Sequence, residues 1–142
     1  MQTKNCFMEA SAIWTEKMKF TGTAGSGHNL AMDAAPEVGG EETGFRPKEL
    51  VLQGLAGCTA MDVMSILRKM KHEPEAFRVE VSAEQTDDHP KVFKKIHIKY
   101  IVKGNVPEDK LKRAIDLSKD QYCGVSAMLG KTAEITFESI YE

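Results

Sequence analysis

Two of the three cysteines are the residues of this chain with the clearest chemical potential. Cys58 lies within a long apolar stretch, and Cys123 comes just before a short run of helix-forming residues. If the two sulfurs meet, one thiolate can attack a peroxide O–O bond and become a sulfenic acid, which the second thiol converts to a disulfide. The pair therefore predicts a two-cysteine redox centre, although either cysteine taken alone is more often a packing residue.

Glu49 is the third candidate site residue, and it has two interpretations. Pro47 suits the first position of a helix, so Glu49 falls in the first turn. A carboxylate there is favoured by the helix dipole without any further role. The functional alternative is an acceptor that orients a cation or a substrate hydroperoxide at the cysteine site.

The remaining chemistry-bearing residues give weaker signals. Cys6 receives no role, and no cysteine lies in a Cys-x-x-Cys pair. The four histidines are scattered without metal-ligand spacing, so no metal site and no cofactor are predicted. A metal or cluster site that combines Cys58, Cys123 and a histidine is the weakest of the alternatives.

One long helix is predicted to position Cys58 and Glu49. It begins at Pro47, and cationic residues in its last turn precede a stop at His72-Glu73-Pro74. Apolar residues occur on all its sides, so we expect it to be buried nearly all round. The glycines inside it indicate close approach of another backbone, and polar residues such as Asp62 argue against a membrane span.

The other elements predict an α+β domain with antiparallel sheets. Before the helix we expect short strands, a turn at Trp14-Thr15-Glu16, a turn at Gly25-Ser26-Gly27, a third strand over 28–33 and a loop over 34–45. After it, alternating residues over 77–84 and 95–103 predict an antiparallel hairpin with acidic residues facing lysines. A helix opened by Pro107, a short helix near 125–129 and a final strand over 133–140 complete the chain.

The composition is that of a soluble globular protein. The chain has 142 residues, of which 42% are hydrophobic and 28% charged, so a single domain over 1–142 is expected. A formal net charge of -2 provides no basic face for nucleic acid. The odd number of cysteines, together with the absence of a signal-peptide pattern after Gln2 and Lys4, favours a reducing cytoplasm.

Two motifs resemble those of the OsmC/Ohr family. The first is Pro47-x-Glu49-Leu50-Val51-Leu52-x-x-Leu55-x-Gly57-Cys58-Thr59-Ala60-Met61-Asp62-Val63, and the second is Ser118-x-x-x-Tyr122-Cys123-x-Val125-Ser126. The order of elements is similar to that family over essentially the whole chain. Within it, the YhfA-type branch is indicated by Ser26-Gly27-His28 and Asp62-Val63-x-Ser65-Ile66-Leu67.

The resemblance implies both a fold and an activity. The fold is OsmC-like, with antiparallel sheets wrapped around a long central helix in an intertwined homodimer that has two active sites at the interface. The activity is a thiol-dependent peroxidase that reduces organic hydroperoxides in an oxidative stress response. By motif, Cys58 would be peroxidatic and Cys123 resolving, and the reductant would be a dithiol, in one branch a protein-bound lipoyl group.

The chain departs from that pattern at two places. The active branches carry an arginine in the N-terminal sheet, but no arginine precedes Arg46 here, and the nearest cations are Lys17 and Lys19. Lys48 follows the helix-initial proline where the organic-hydroperoxide branch has its glutamate, and Glu49 comes one residue later, rotated by about 100°. The alternative function is therefore a non-catalytic dimeric protein that binds a small apolar or thiol-bearing ligand.

Overall fold

The fold is given by a computed structural model that describes residues 7–142, so Cys6 lies outside the described residues. In chain order the elements are β1 (Ala10–Glu16), β2 (Lys19–Ala24), β3 (Asn29–Met32), a 3-10 turn (Pro36–Val38), α1 (Pro47–Lys69), β4 (Ala76–Gln85), β5 (Phe93–Lys103), α2 (Glu108–Leu117), a π-helical turn (Ser118–Tyr122), α3 (Gly124–Leu129) and β6 (Glu134–Tyr141). The predicted α+β class is confirmed.

Backbone contacts divide the chain into two compact units. The N-terminal unit ends at Val51, and the C-terminal unit is Leu52–Glu142. Helix α1 begins in the first unit and lies mostly in the second. The single domain predicted for residues 1–142 stays a prediction.

The N-terminal unit contains a three-stranded antiparallel meander in the order β1-β2-β3. The turn predicted at Trp14-Thr15-Glu16 is wrong, because Trp14 pairs with Phe20 inside the β1–β2 ladder. The chain reverses at Lys17, whose φ of 50° is left-handed. The Trp14 indole N–H donates to the Lys17 carbonyl oxygen at 2.7 Å, so the aromatic residue closes the turn from within the strand.

Asp33 organises the loop that joins β3 to α1. Its side chain is almost fully buried, and its carboxylate accepts hydrogen bonds from the N–H groups of Ala34, Glu41 and Thr43. The Thr43 hydroxyl donates a further bond at 2.7 Å. These bonds hold the pKa of Asp33 well below its usual range, with the Thr43 hydroxyl as the largest cause.

Helix α1 is less buried within one chain than its sequence predicts. Its buried residues follow a single stripe, namely Leu55, Thr59, Val63 and Leu67. The all-round burial expected from the sequence is therefore wrong for one copy, and a Cβ at Gly54 or Gly57 would have no neighbour within 4 Å. By length and composition α1 could cross a membrane, but core helices of soluble proteins share both properties.

The C-terminal unit contains a three-stranded sheet in the order β4-β5-β6. The predicted β4–β5 hairpin is antiparallel, and its acidic residues face lysines at Glu80–Lys99 and Glu84–Lys95. The expectation of purely antiparallel sheets is wrong here, because β6 pairs parallel with β5. The reason is the helical connection through α2 and α3, which returns the chain to the starting end of β5, as parallel pairs require.

The apolar core of this unit lies where the α1 stripe meets residues of the sheet and α2. It includes Leu55, Val63 and Leu67 of α1, Ile96, Ile98, Tyr100 and Val102 of β5, and Leu111, Ala114 and Ile115 of α2. Full burial of one such side chain contributes about 1.5–3 kcal/mol. This packing fixes the α1 segment that carries Cys58, and the crossover that follows β5 delivers Cys123.

Candidate thiol site

The two predicted cysteines lie together in the C-terminal unit. The Sγ atoms of Cys58 and Cys123 and a carboxylate oxygen of Asp62 all lie within 4.8 Å of one another. Both thiols are free. The two sulfurs thus lie as close as a two-cysteine centre requires, whereas their catalytic roles stay a prediction.

Cys123 is fixed by the helix that it precedes. It is the N-cap of α3, where its Sγ accepts a hydrogen bond from the Ser126 N–H at 3.4 Å. In return, the Ser126 hydroxyl donates to the Cys123 carbonyl oxygen at 3.0 Å. On its other side the Cys123 N–H donates to the Ser118 carbonyl oxygen at 2.8 Å. The buried Cys123 side chain is therefore held at the junction between the π-helical turn and α3.

Cys58 is half-buried in the middle of α1. Burial is the largest influence on its pKa and raises it above the ordinary thiol value. The neighbouring Cys123 and Asp62 raise this pKa further, while a hydrogen bond from the Val125 N–H acts in the opposite direction. The net effect is to keep the Cys58 thiol protonated near neutral pH.

A chain of hydroxyl groups connects Asp62 to the buried core. The Ser118 hydroxyl donates to Asp62 Oδ2 at 2.9 Å, and the Thr59 Oγ1 lies 2.8 Å from the Ser118 Oγ and 2.7 Å from the Tyr100 Oη. Since each hydroxyl has one proton, donation by Ser118 to Asp62 requires Thr59 to donate to Ser118 and Tyr100 to donate to Thr59. Burial raises the pKa of Tyr100 to about 12, which keeps its proton in place.

Sequence reasoning missed this polar group because it used Asp62 as evidence against a membrane span and as a motif residue, without assigning it to the thiol site. The signal was available in the spacing. Residues four apart lie on the same face of a helix, so Asp62 had to lie one turn from Cys58. A carboxylate within an otherwise apolar helix also requires a partner, which Ser118 provides. Tyr100, by contrast, could not be connected to this site without the register of β5.

Glu49 belongs to the N-terminal unit, where it caps α1. Its Oε1 accepts a hydrogen bond from the Arg46 N–H at 2.8 Å, which is the return half of a capping box. The geometry thus matches the capping interpretation, and a catalytic role for Glu49 stays a prediction.

The cations that could replace the expected arginine are paired within the same N-terminal unit. Lys17 and Lys19 lie 3.2 and 3.0 Å from the Glu41 carboxylate, and Arg46 pairs with Glu42. Each of these positive charges is therefore already partly neutralised by an acidic neighbour.

An α+β fold with two free thiols on facing helical segments defines a class of thiol proteins, and comparison with known proteins identifies the family. The family model described as OsmC-like protein matches residues 39–138. The chain belongs to the OsmC-like family.

Individual relatives agree with this assignment. The chain is 35% identical to Protein YhfA of Escherichia coli strain K12 over 130 residues, which cover 91% of this chain and 94% of that protein. A hypothetical protein from Aquifex aeolicus VF5 has a similar structure, with a TM-score of 0.80, 28% identity, and coverage of 96% of this chain and 98% of that one.

A third relative shows the fold at greater sequence distance. It is an organic hydroperoxide resistance protein OsmC from Legionella pneumophila, also described as a predicted redox protein. Its TM-score is 0.74 at 15% identity, and the match covers 96% of this chain and 99% of that one.

Proposed function

We propose that this protein is a thiol-dependent peroxidase that reduces organic hydroperoxides through Cys58 and Cys123. The observation that carries the proposal is the approach of two free sulfurs to within 4.8 Å. Family membership and the name of the Legionella pneumophila relative support hydroperoxides as the substrate class.

The reaction has two protein steps. In the first, the Cys58 thiolate attacks the terminal oxygen of the hydroperoxide, the O–O bond breaks, and the alkoxide leaves as an alcohol after it takes up a proton. In the second, the Cys123 sulfur attacks the resulting sulfenic acid, a disulfide forms, and the oxygen leaves as water. An external dithiol then reduces the disulfide and is itself oxidised, so two electrons pass from the dithiol to the hydroperoxide.

The surroundings of the two sulfurs favour the second step over the first. A disulfide bond is about 2 Å long, so sulfurs already within 4.8 Å need only a local movement to form it. Formation of the Cys58 thiolate is assisted by the Val125 N–H but opposed by burial and by Asp62. The proposed peroxidase is therefore limited by thiol deprotonation, and its rate increases at alkaline pH.

Glu49 has a proposed role in the same reaction, as the acceptor that orients a cation or the hydroperoxide. The variant Glu49→Gln tests this role without removing the cap, because glutamine also serves at this position of a capping box. A loss of peroxidase activity with unchanged thermal stability would support the catalytic role. Unchanged activity would leave Glu49 as a capping residue alone.

The functional assembly is proposed to be a homodimer, active in the reducing cytoplasm. Large apolar side chains are exposed on both units, with Met61 74% exposed on α1 and Trp14 63% exposed on β1. Exposed apolar surface of this kind marks an interaction site. We expect a dimer by sedimentation analysis, a shift toward monomer for Met61→Glu, and no shift for the control Lys94→Glu. A monomeric wild-type protein would contradict this assembly.

The peroxidase proposal is tested by consumption of cumene hydroperoxide with dihydrolipoamide or dithiothreitol as the reductant. We expect Cys58→Ser to abolish turnover. In the absence of the dithiol, Cys123→Ser should consume about one equivalent of peroxide and stop at the sulfenic acid, with no disulfide formed. The outcome that contradicts the proposal is a wild-type protein no faster than Cys58→Ser.

The alternative is a dimeric protein that binds a small apolar or thiol-bearing ligand. It is favoured by one observation, the raised pKa of the Cys58 thiol, which lowers thiolate reactivity. The two functions are separated by mass spectrometry after peroxide treatment. A Cys58–Cys123 disulfide supports catalysis, whereas two intact thiols support ligand binding.

A further inference from the structure

We propose that Cys58, Asp62 and Cys123 form a binding site for one zinc ion in the reduced protein. The three side chains are the donor group identified in the described residues 7–142 as able to hold a metal, and their ligand atoms lie within 4.8 Å of one another. Two of them come from one face of α1, one helical turn apart, and the third comes from the N-cap of α3. The site depends on this geometry and not on peroxidase activity.

The donor set matches the preference of zinc. Thiolate sulfur and carboxylate oxygen are both zinc ligands, and zinc sites with an exchangeable position use three protein ligands. Tetrahedral bonds of about 2.3 Å to sulfur and about 2.0 Å to oxygen place ligand atoms roughly 3.5–3.8 Å apart. Ligand atoms at present within 4.8 Å of one another therefore require a contraction of at most about 1.0–1.3 Å. Since Cys58 is only half-buried, solvent can reach the fourth position.

The charges at the site also favour a cation. Two thiols and a carboxylate become three negative ligands when deprotonated, and Asp62 forms no salt bridge with any Lys or Arg of the described chain. The positively charged residues that pair with acids in the N-terminal unit, such as Lys19 and Arg46, already have partners. A divalent ion would supply the compensating charge that the described residues do not provide.

The hydrogen bonds made to the three donor side chains resemble those that orient metal ligands. Ligating carboxylates are typically held by a second hydrogen bond, and Asp62 Oδ2 accepts one from the Ser118 hydroxyl. The Ser126 N–H donates to the Cys123 sulfur, and the Val125 N–H is bonded to the Cys58 sulfur. Each of the three donors is thus positioned by a separate backbone or hydroxyl group.

Metal binding and disulfide formation exclude each other. Binding of Zn²⁺ releases one proton from each thiol and forms two Zn–S bonds without any change in oxidation state. Formation of the disulfide consumes the same two sulfurs. If the proposed peroxidase function is correct, bound zinc protects the thiols from hydroperoxides and inhibits turnover.

The test uses the full reduced chain, freed of metal with a chelator and titrated with Co²⁺ as a spectroscopic probe and then with Zn²⁺. We expect one Co²⁺ per chain, with a thiolate-to-cobalt charge-transfer absorption that Zn²⁺ removes by displacement. Asp62→Asn should weaken binding by about 10-fold or more while the fold is retained, since loss of a direct ligand costs at least as much as loss of an outer contact. Asp62→Cys should restore binding and increase the charge-transfer absorption.

The controls distinguish this site from other donors. Asp116→Asn removes an α2 carboxylate that pairs with Lys112, and it should leave metal affinity unchanged. Cys6→Ser should also leave it unchanged. The proposal is overturned if the wild-type protein gives no charge-transfer absorption, if Asp62→Asn binds Co²⁺ as tightly as wild type, or if Cys6→Ser abolishes binding. Because no peroxide is present, failure of the peroxidase assay does not affect these outcomes.

Discussion

Each of the two units of this chain is stabilised internally by a different kind of interaction. In the C-terminal unit a stripe of α1 packs against β5 and α2 and forms a continuous apolar core. In the N-terminal unit the one buried residue of the described part is Asp33, a charged side chain surrounded by hydrogen-bond donors. A unit without an apolar core depends on surfaces beyond itself, whereas the thiol site is built on the unit that has its own core.

The largest effect should come from the apolar core. Leu55→Ala removes a fully buried side chain, and we expect the free energy of unfolding to fall by about 2–5 kcal/mol. The control Lys94→Ala replaces an exposed side chain of β5 and should cost far less in a chemical denaturation measurement. Equal losses for the two variants would show that stability does not depend on this apolar core.

A smaller loss should come from the hydroxyl chain beside the thiols. Thr59→Val keeps the shape of the side chain but leaves the Tyr100 hydroxyl without an acceptor and the Ser118 oxygen without a donor, at a cost of about 1–3 kcal/mol. Adding Tyr100→Phe removes one of these unpaired groups, so the double variant should be less destabilised than the sum of the single changes. Strict additivity in thermal unfolding would contradict the coupling.

Acid should affect the N-terminal unit first. The pKa of Asp33 is depressed in the folded state, so its contribution is complete above the unfolded value of about 3.9 and is lost as pH falls below it. We expect Asp33→Asn to lose stability at neutral pH and to show a weaker dependence on acid than wild type. Hydrogen exchange of the β3–α1 loop at pH 6 and pH 3 measures this, and a parallel acid response in both proteins would count against it.

The smallest effect concerns the reactivity of Cys58. Asp62 is one of the groups that raise its pKa, so Asp62→Asn should shift the alkylation profile toward lower pH. The reference protein, in which Asp62 is intact, should react with iodoacetamide most rapidly above the ordinary thiol pKa of about 8.5. The measurement uses metal-free protein in which Cys6 and Cys123 are replaced by serine. A profile that does not move in Asp62→Asn would exclude electrostatic coupling between the two groups.

Sequence reasoning was most successful where local rules decide structure. The limits of α1 follow from Pro47 at one end and cationic residues at the other, and the β4–β5 register follows from strict alternation. The parallel pairing of β6 was missed because strand direction depends on the crossover through α2 and α3, which alternation does not encode. The turn at Trp14 was misplaced because its side-chain bond to Lys17 is not visible in a hydropathy pattern.

The thiol site was predictable only in part, because some of its contacts depend on how separate elements pack together. Motif spacing led to Cys58 and Cys123, and helical periodicity could have added Asp62. Thr59 lies in α1 and Ser118 in the π-helical turn after α2, and only the tertiary packing of these elements brings their hydroxyls to 2.8 Å. A partner subunit could likewise be proposed from the apolar faces of α1, but the sequence could not say which partner residues contact this helix.

Because the hydroxyl protons of this hydrogen-bonded chain all point in one direction, the hydrogen bond donated by Tyr100 responds to the state of Asp62. Every proton from Tyr100 through Thr59 and Ser118 points toward the Asp62 carboxylate. Any event that neutralises or ligates this carboxylate weakens the last bond and, through it, the donation made by the phenol. The vibrational spectrum of one native tyrosine should therefore register occupancy at the thiols without a label.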